Sequence, residues 1–501
     1  MQLHRRSLWS LFLVFILCWL VLTCGQPAFA ADSDDLIFVP RQAQSVLKLN
    51  QRPGSDLLRF FWERFWTSQL AHWGWSWSEI NAWVGEGVTV AQLPCPEVCQ
   101  TPRQLWILPL KRPEAATAFL ETYWQAHPFE AQVYQNLPLQ VGKDLVTARL
   151  GDRLLLASDV ETMIASLGSA VTEDGNLAGL AFYQQARPQL EAQSTALYYA
   201  NLQSLSLENR DLAPTYDRLL VAMKAQNKEL HLQALLHRTG DPTLISAPLD
   251  LEFLRSPESM PAVVIAGSHL PEGYSQLTEA LADYRFGKTP QGDDIASRLL
   301  RDLTADIPVD LTTQIFPLAR DRFSLTLWHQ ADEQWQWAWQ TRNTPETPTL
   351  LRQLEDLARA NGYEVNRLVL NQEAVTAWVK LVLAPQTSEG VVSDVAAAYK
   401  QQGDRLLLAS SLSVLSPGRN KNKKGAWLPQ SLLRQQQGVH GLVYAHWPQL
   451  FAPLSQRWPL LQYLNGVSGG GLERLQSITL VNYGVRDRLQ HLELILSSKK
   501  D

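Results

Sequence analysis

Residues that could do chemistry are sparse in this chain of 501 residues, so each group is judged by what its spacing allows. Gly466-Val-Ser468-Gly-Gly470 spells the G-x-S-x-G pattern of an activated serine, and Asp487 and His491 follow in the order used by α/β-hydrolases. That chemistry needs the serine on a sharp turn between a strand and a helix. Here Leu461-Gln-Tyr-Leu464 reads as helix before the serine, Gly471 prolongs the glycine run, and Asp487 falls at a hairpin turn. The intervals are also too short for the intervening elements of that fold, so no catalytic residue is assigned.

Metal and phosphate chemistry fare no better. A glycine loop ahead of Lys-Ser/Thr, a His-Glu-x-x-His pair and a calcium loop are all missing from the sequence, and no cofactor is called for. His231 and His491 occupy corresponding places in two similar strands, which favours packing or a surface role over ligation. Cys95 and Cys99 sit in Pro94-Cys-Pro-Glu-Val-Cys99 without a nearby cluster of His or Cys. A metal site wants about four such ligands, so a local disulfide in an oxidising compartment is the expectation.

Binding chemistry is better represented. Leu57, Leu58, Phe60, Phe61, Trp62, Phe65, Trp66 and Leu70 give a predicted helix a wider apolar arc than one buried face requires, and Trp73, Trp75, Trp77 and Trp83 follow at once. The segment is either packed between the sheet and a neighbouring element or used as a contact. Phe61, Trp62, Trp66, Trp73, Trp75 and Trp77 are therefore the candidate contacts for a protein partner or a membrane surface. Trp335, Trp337 and Trp339 share one face of a predicted strand, where they stack on a ligand or pack under helices. A basic loop, Arg419-Asn-Lys-Asn-Lys-Lys424, is read as solvated.

The elements that position these groups are organised by a repeat. Gly151-Asp-Arg-Leu-Leu-Leu-Ala-Ser158 recurs letter for letter as Gly403-Asp-Arg-Leu-Leu-Leu-Ala-Ser410, and other landmarks recur in the same order. Each copy predicts a hairpin whose Gly-Asp pair forms a type II′ turn. Ser158 is expected to cap the helix that follows, with Glu161 completing a capping box and Gly168 ending the helix. Strands joined by hairpins imply antiparallel pairing. The expected fold class is α+β: two tandem copies of an antiparallel-sheet unit with helices packed on one face, residues 31–255 and 256–501.

Residues 1–30 read as a signal peptide. Arg5 and Arg6 precede an apolar run from Leu8 to Leu22, and Ala28-Phe-Ala30 supplies a cleavage site. The run is shorter than the roughly 20 residues of a spanning helix, so retention as a membrane anchor is the alternative. The net charge is −5, more negative still once Arg5 and Arg6 leave. Such a chain is not built to bind nucleic acid, whose phosphates demand a basic face.

The Pro-x-Ala entry strand, Trp83-Val-Gly85-Glu-Gly-Val-Thr-Val-Ala91, the repeated octapeptide and Leu197-Tyr-Tyr-Ala-Asn-Leu202 together resemble the domain of unknown function 3352 family, exported proteins found mainly in cyanobacteria. The second half has Phe316-Pro-Leu-Ala-Arg320 where the first has Trp-x-Gly-Glu. The resemblance implies a periplasmic or thylakoid-lumen location and no known activity. The expected function is that of a non-enzymatic binding, scaffold or assembly factor at a membrane surface or on a protein partner. The rival is an envelope hydrolase or carbohydrate-binding protein.

Overall fold

The computed structural model describes residues 34–50, 70–95, 103–192, 194–205, 216–226, 229–240, 248–249, 260–270, 316–329, 335–383, 391–415, 438–457, 462, 465 and 472–498. The fold is α+β, dominated by antiparallel sheet with few helices. Its residues divide into two compact units, 1–242 with 485–501, and 243–484.

Unit 1 contains β1 (Ser45–Leu49), α1 (Trp77–Asn81), β2 (Val88–Leu93), β3 (Arg103–Pro109), α2 (Pro113–Ala126), β4 (Glu130–Tyr134), β5 (Leu137–Val141), β6 (Val146–Leu150), β7 (Arg153–Ala157), α3 (Val160–Val171), α4 (Ala181–Ala186), β8 (Ala196–Asn201), α5 (Leu202–Leu205), β9 (Tyr216–Gln226) and β10 (Glu229–Arg238). Its strands lie in the order β4-β5-β6-β7-β3-β2-β1-β8-β9-β10, every pair antiparallel.

Unit 2 contains β11 (Val263–Ser268), β12 (Arg322–His329), β13 (Trp335–Arg342), α6 (Thr347–Ala360), β14 (Glu364–Leu370), β15 (Glu373–Leu383), β16 (Val391–Gln402), β17 (Arg405–Ala409), α7 (Leu412–Leu415), β18 (Gly441–His446), α8 (Trp447–Arg457) and β19 (Leu475–Arg486). Its order is β14-β15-β16-β17-β13-β12-β11-β18-β19, again antiparallel.

The strand that follows, β20 (Leu489–Ser498), belongs with unit 1, where it extends the sheet by pairing with β10 from Glu229↔Ser497 to His237↔Leu489. Residues 485–501 group with unit 1, where β20 forms a long ladder with β10, and the division between the units falls at 242/243. Among the described residues no helix is long and apolar enough to cross a membrane.

Helices on one face is an expectation the structure corrects. Leu105, Trp106, Ile107 and Leu108 on β3 are all buried, as are Leu154, Leu155 and Leu156 on β7. Successive strand residues point to opposite faces, so consecutive burial means cover on both. Leu105, Ile107 and Leu155 pack with Met163 and Leu167 of α3. Trp106 points the other way, to Trp73, which meets Trp75 and through it Phe119 and Tyr123 of α2. In unit 2, Trp337, Trp339, Leu406 and Leu408 pack with Leu351, Leu354 and Ala358 of α6. Alternate residues Ala338, Leu407 and Ala409 share a cluster with Leu412 and Leu415 of α7. An apolar run such as Leu-Leu-Leu-Ala suits a strand buried on both faces.

Local signals account for the ends of elements. Gly151 (φ +56) and Gly403 (φ +61) hold the left-handed first position of the repeated hairpin turns, while Asp152 does not, as a type II′ turn requires. Gly362 (φ +80) follows α6, the left-handed residue that ends a helix. The start of α3 differs from the expected capping box. Asp159 is the N-cap and accepts from Thr162 N at 2.8 Å, Glu161 pairs with Arg103, and the helix runs through Gly168 to Val171. Ser158 works across the sheet: its N–H donates to Gln104 O at 3.0 Å and its Oγ accepts from Gln104 N at 3.1 Å. Ser410 does the same with Trp337, at 2.9 Å for both bonds.

Candidate functional site

The expected aromatic contact divides. Phe61, Trp62 and Trp66 lie outside the described residues. Trp73, Trp75 and Trp77 are buried. The Trp73 indole N–H donates to Asp144 O at 3.1 Å, and its ring stands edge-on to Trp106 with centroids 5.6 Å apart. Trp75 meets Phe119 at 5.1 Å and Tyr123 at 5.4 Å, both edge-on. Buried aromatic pairs of this geometry are core, contributing about 0.5–1.5 kcal/mol each beyond their burial.

Trp337 and Trp339 are likewise buried, Trp339 stacked on Phe323 at 5.3 Å and 11°. They present no face on which a sugar could stack. Ser468 and its glycines lie outside the described residues, as does the basic loop. Asp487 (φ +51) sits in the turn before β20, and the strand's rise of about 3.3 Å per residue carries His491 away from it. Cys95 is disulfide-bonded; Cys99 is outside the described residues.

Charge gathers instead where β10 meets β20. His231 Nδ1 lies 2.9 Å from Glu493 Oε1, and its Nε2 lies 3.1 Å from Glu229 Oε2. Burial alone would pull the imidazole down, but these two carboxylates outweigh it and push it up to about 9. His491, two residues from Glu493, is pulled down by burial, with Glu493 a partial offset. Glu493 is itself buried, so the cationic His231 neutralises a carboxylate that burial would otherwise make costly. Among the described residues no three His, Cys, Asp or Glu side chains are placed to hold a metal ion. The His231 cluster is an interstrand clasp.

Surfaces open to a partner lie at the outer strands. Among the described residues β4 pairs only with β5, and β14 only with β15. Both carry exposed apolar side chains: Phe129 at the entry of β4 (44% exposed) and Val133 (73%), Leu368 (39%) and Val369 (79%) on β14. Each hairpin turns through two left-handed residues, Gln135 (φ +50) and Asn136 (+66), or Asn371 (+52) and Gln372 (+70). This is a type I′ loop, whose flanking residues form a hydrogen-bonded pair. Leu370 therefore directs its main chain toward Glu373. By alternation Val369, Arg367 and Val365 direct theirs outward. An unpaired edge with this apolar character is a template for another strand. Sequence patterning misses both turns, since neither contains glycine.

The fold is thus an antiparallel α+β one with few helices, and its open features are strand edges. The family model described as Protein of unknown function (DUF3352) matches residues 9–498, and the chain belongs to that family. No curated protein matches it. Among solved structures, crystal form III of TP0453 is similar at a TM-score of 0.29, with 12% identity over 43% of this chain and 84% of that chain. Crystal form I gives 0.28, 12%, 43% and 83%.

Proposed function

We propose that this chain is an exported, non-enzymatic binding protein made of two copies of one α+β unit, and that it takes an extended segment of a protein partner along the edge of β14. The carrying observation is that edge: outward main-chain groups at Val365, Arg367 and Val369, beside the exposed Leu368 and Val369. Adding a strand to an open edge draws affinity from main-chain hydrogen bonds and specificity from alternate side chains. Val365, Arg367 and Val369 share a face, so the fitting partner segment places an acidic residue between two apolar ones at a spacing of two.

The reading of two copies is supported by strand order, β4-β5-β6-β7-β3-β2-β1-β8-β9 against β14-β15-β16-β17-β13-β12-β11-β18-β19. Matching positions carry matching contacts. Trp106 faces Leu156, and Trp339 faces Leu408, the same leucine of the octapeptide. Export is supported by the leader pattern of residues 1–30, and a Cys95–Cys99 bridge would suit an oxidising compartment. Phe61, Trp62 and Trp66 remain candidate contacts in this proposal.

The test is affinity recovery of tagged chain from membrane and soluble extracytoplasmic fractions, with Arg367→Glu and Val369→Lys beside the native protein. The expected result is a protein partner recovered by the native chain and reduced about tenfold with either variant, as loss of one or two cross-strand pairs would give. Recovery of lipid alone, or of the same protein at native level by both variants, overturns the reading.

A further inference from the structure

The edge of β4 differs from that of β14 in a way that names its occupant. Tyr134 and Leu137 flank the Gln135-Asn136 loop, so Tyr134, Gln132 and Glu130 direct their main chain toward β5. Val133, Ala131 and Phe129 direct theirs outward. The same three residues share one face and are exposed, and the Phe129 ring rests on Trp124 with centroids 5.3 Å apart. Outward hydrogen-bonding groups and an apolar stripe thus come from the same residues.

An antiparallel pair of identical strands related by a two-fold axis must place one residue opposite its own copy, because facing residues share a face of the sheet. With the axis at Ala131, Ala131 meets Ala131, and Phe129 meets Val133 twice. Glu130 then faces Gln132 on the other side, so no carboxylate opposes another. All three facing pairs of the outward set exchange both main-chain bonds. The same construction on β14 puts Arg367 opposite Arg367, a repulsive pair. With the axis at the middle residue of the outward set, the edge of β4 is self-complementary, whereas that of β14 opposes two arginines.

We propose that two copies of this chain join edge to edge along β4, with the axis at Ala131, in a closed two-fold dimer. The proposal is independent of the partner reading for β14, and either can fail without the other.

Sedimentation equilibrium on the purified full chain reads the assembly mass. The expected result is twice the chain mass for the native protein. Val133→Lys, which breaks both Phe129–Val133 contacts, is expected to raise the dissociation constant about tenfold. It changes an exposed side chain, and circular dichroism would match the native protein. Ala131→Cys reads the register. In a hydrogen-bonded antiparallel pair the facing Cα atoms lie about 5.5 Å apart, within the range a disulfide spans, so mild oxidation is expected to cross-link this variant and to leave Gln132→Cys uncoupled. A native protein that stays monomeric, a dimer that ignores Val133→Lys, or cross-linking of Gln132→Cys equal to that of Ala131→Cys would each overturn the proposal.

Discussion

Gly151 and Gly168 show how one residue type acts in opposite ways. Gly151 holds φ +56 in a hairpin turn, and a Cβ there would meet nothing within 4 Å. The obstacle to replacement is therefore the backbone conformation alone. Gly151→Val is expected to cost about 2 kcal/mol. Gly168 lies inside α3, where a Cβ would also meet nothing within 4 Å but the backbone is ordinary helix. Gly168→Ala is expected to stabilise by about 0.5–1 kcal/mol. Chemical denaturation of both variants checks the pair, and equal signs would refute the assignment. The first glycine is legible in sequence from its Asp neighbour and flanking apolar runs. The second reads as a stop because glycine ends helices more often than it crosses them. Ser158 reads as the cap for a related reason: Ser and Asp adjoin, both cap well, and only the cross-sheet partner Gln104 decides between them.

At the scale of elements, the pairing of β20 with β10 is the most charge-dependent contact described. His231 titrates near 6.5 when unfolded and about 9 when folded, so its contribution is full below pH 6.5 and lost as pH rises through 9. On its own side of the sheet it is faced by Glu229 and Glu493, with Lys224 opposite on β9 and paired to Glu191 at 2.8 Å. His491 has the opposite sign: its lowered folded value makes stability fall as pH drops below 6.5. Unfolding free energies measured by chemical denaturation from pH 6.5 to 9.5 are expected to decline in the native chain, by an amount on the order of 2 kcal/mol, and to flatten in His231→Gln. A decline unchanged by that substitution would remove His231 as its source. Nothing in the sequence pairs His231 with Glu493, because 262 positions separate them and the strand register alone brings them together. Hairpins are legible where turn chemistry is strong. The turns at Gln135-Asn136 and Asn371-Gln372 are not, since neither carries the glycine that usually marks a left-handed turn.

For the whole molecule, antiparallel pairing is legible in the hairpin pattern, and the doubly buried strands β7 and β17 are legible in their apolar runs. The burial of Trp73, Trp75 and Trp77 is one of two readings the sequence leaves open, because a tryptophan-rich segment has the same composition whether it lies inside or outside a core. The attachment of β20 to unit 1 is hidden, since a tandem repeat suggests that each copy keeps its own closing strand. A chain ended at Arg486 is expected to leave one edge of β10 unpaired beside Leu230 and Leu235, which are buried in the full chain. The measurement is the soluble fraction and the cooperativity of unfolding. Native-like behaviour of the shortened chain would show that β20 is dispensable.

That arrangement also bears on biosynthesis. A ribosome delivers β10 first, then all of unit 2, and only then the strand that completes unit 1, across an interval of roughly 250 residues whose closure entropy must be met. Unit 2, continuous in sequence, can mature while unit 1 still waits with an open border. Any nascent chain interrupted within unit 2 carries that border permanently. It would be open to proteases and to neighbouring strands.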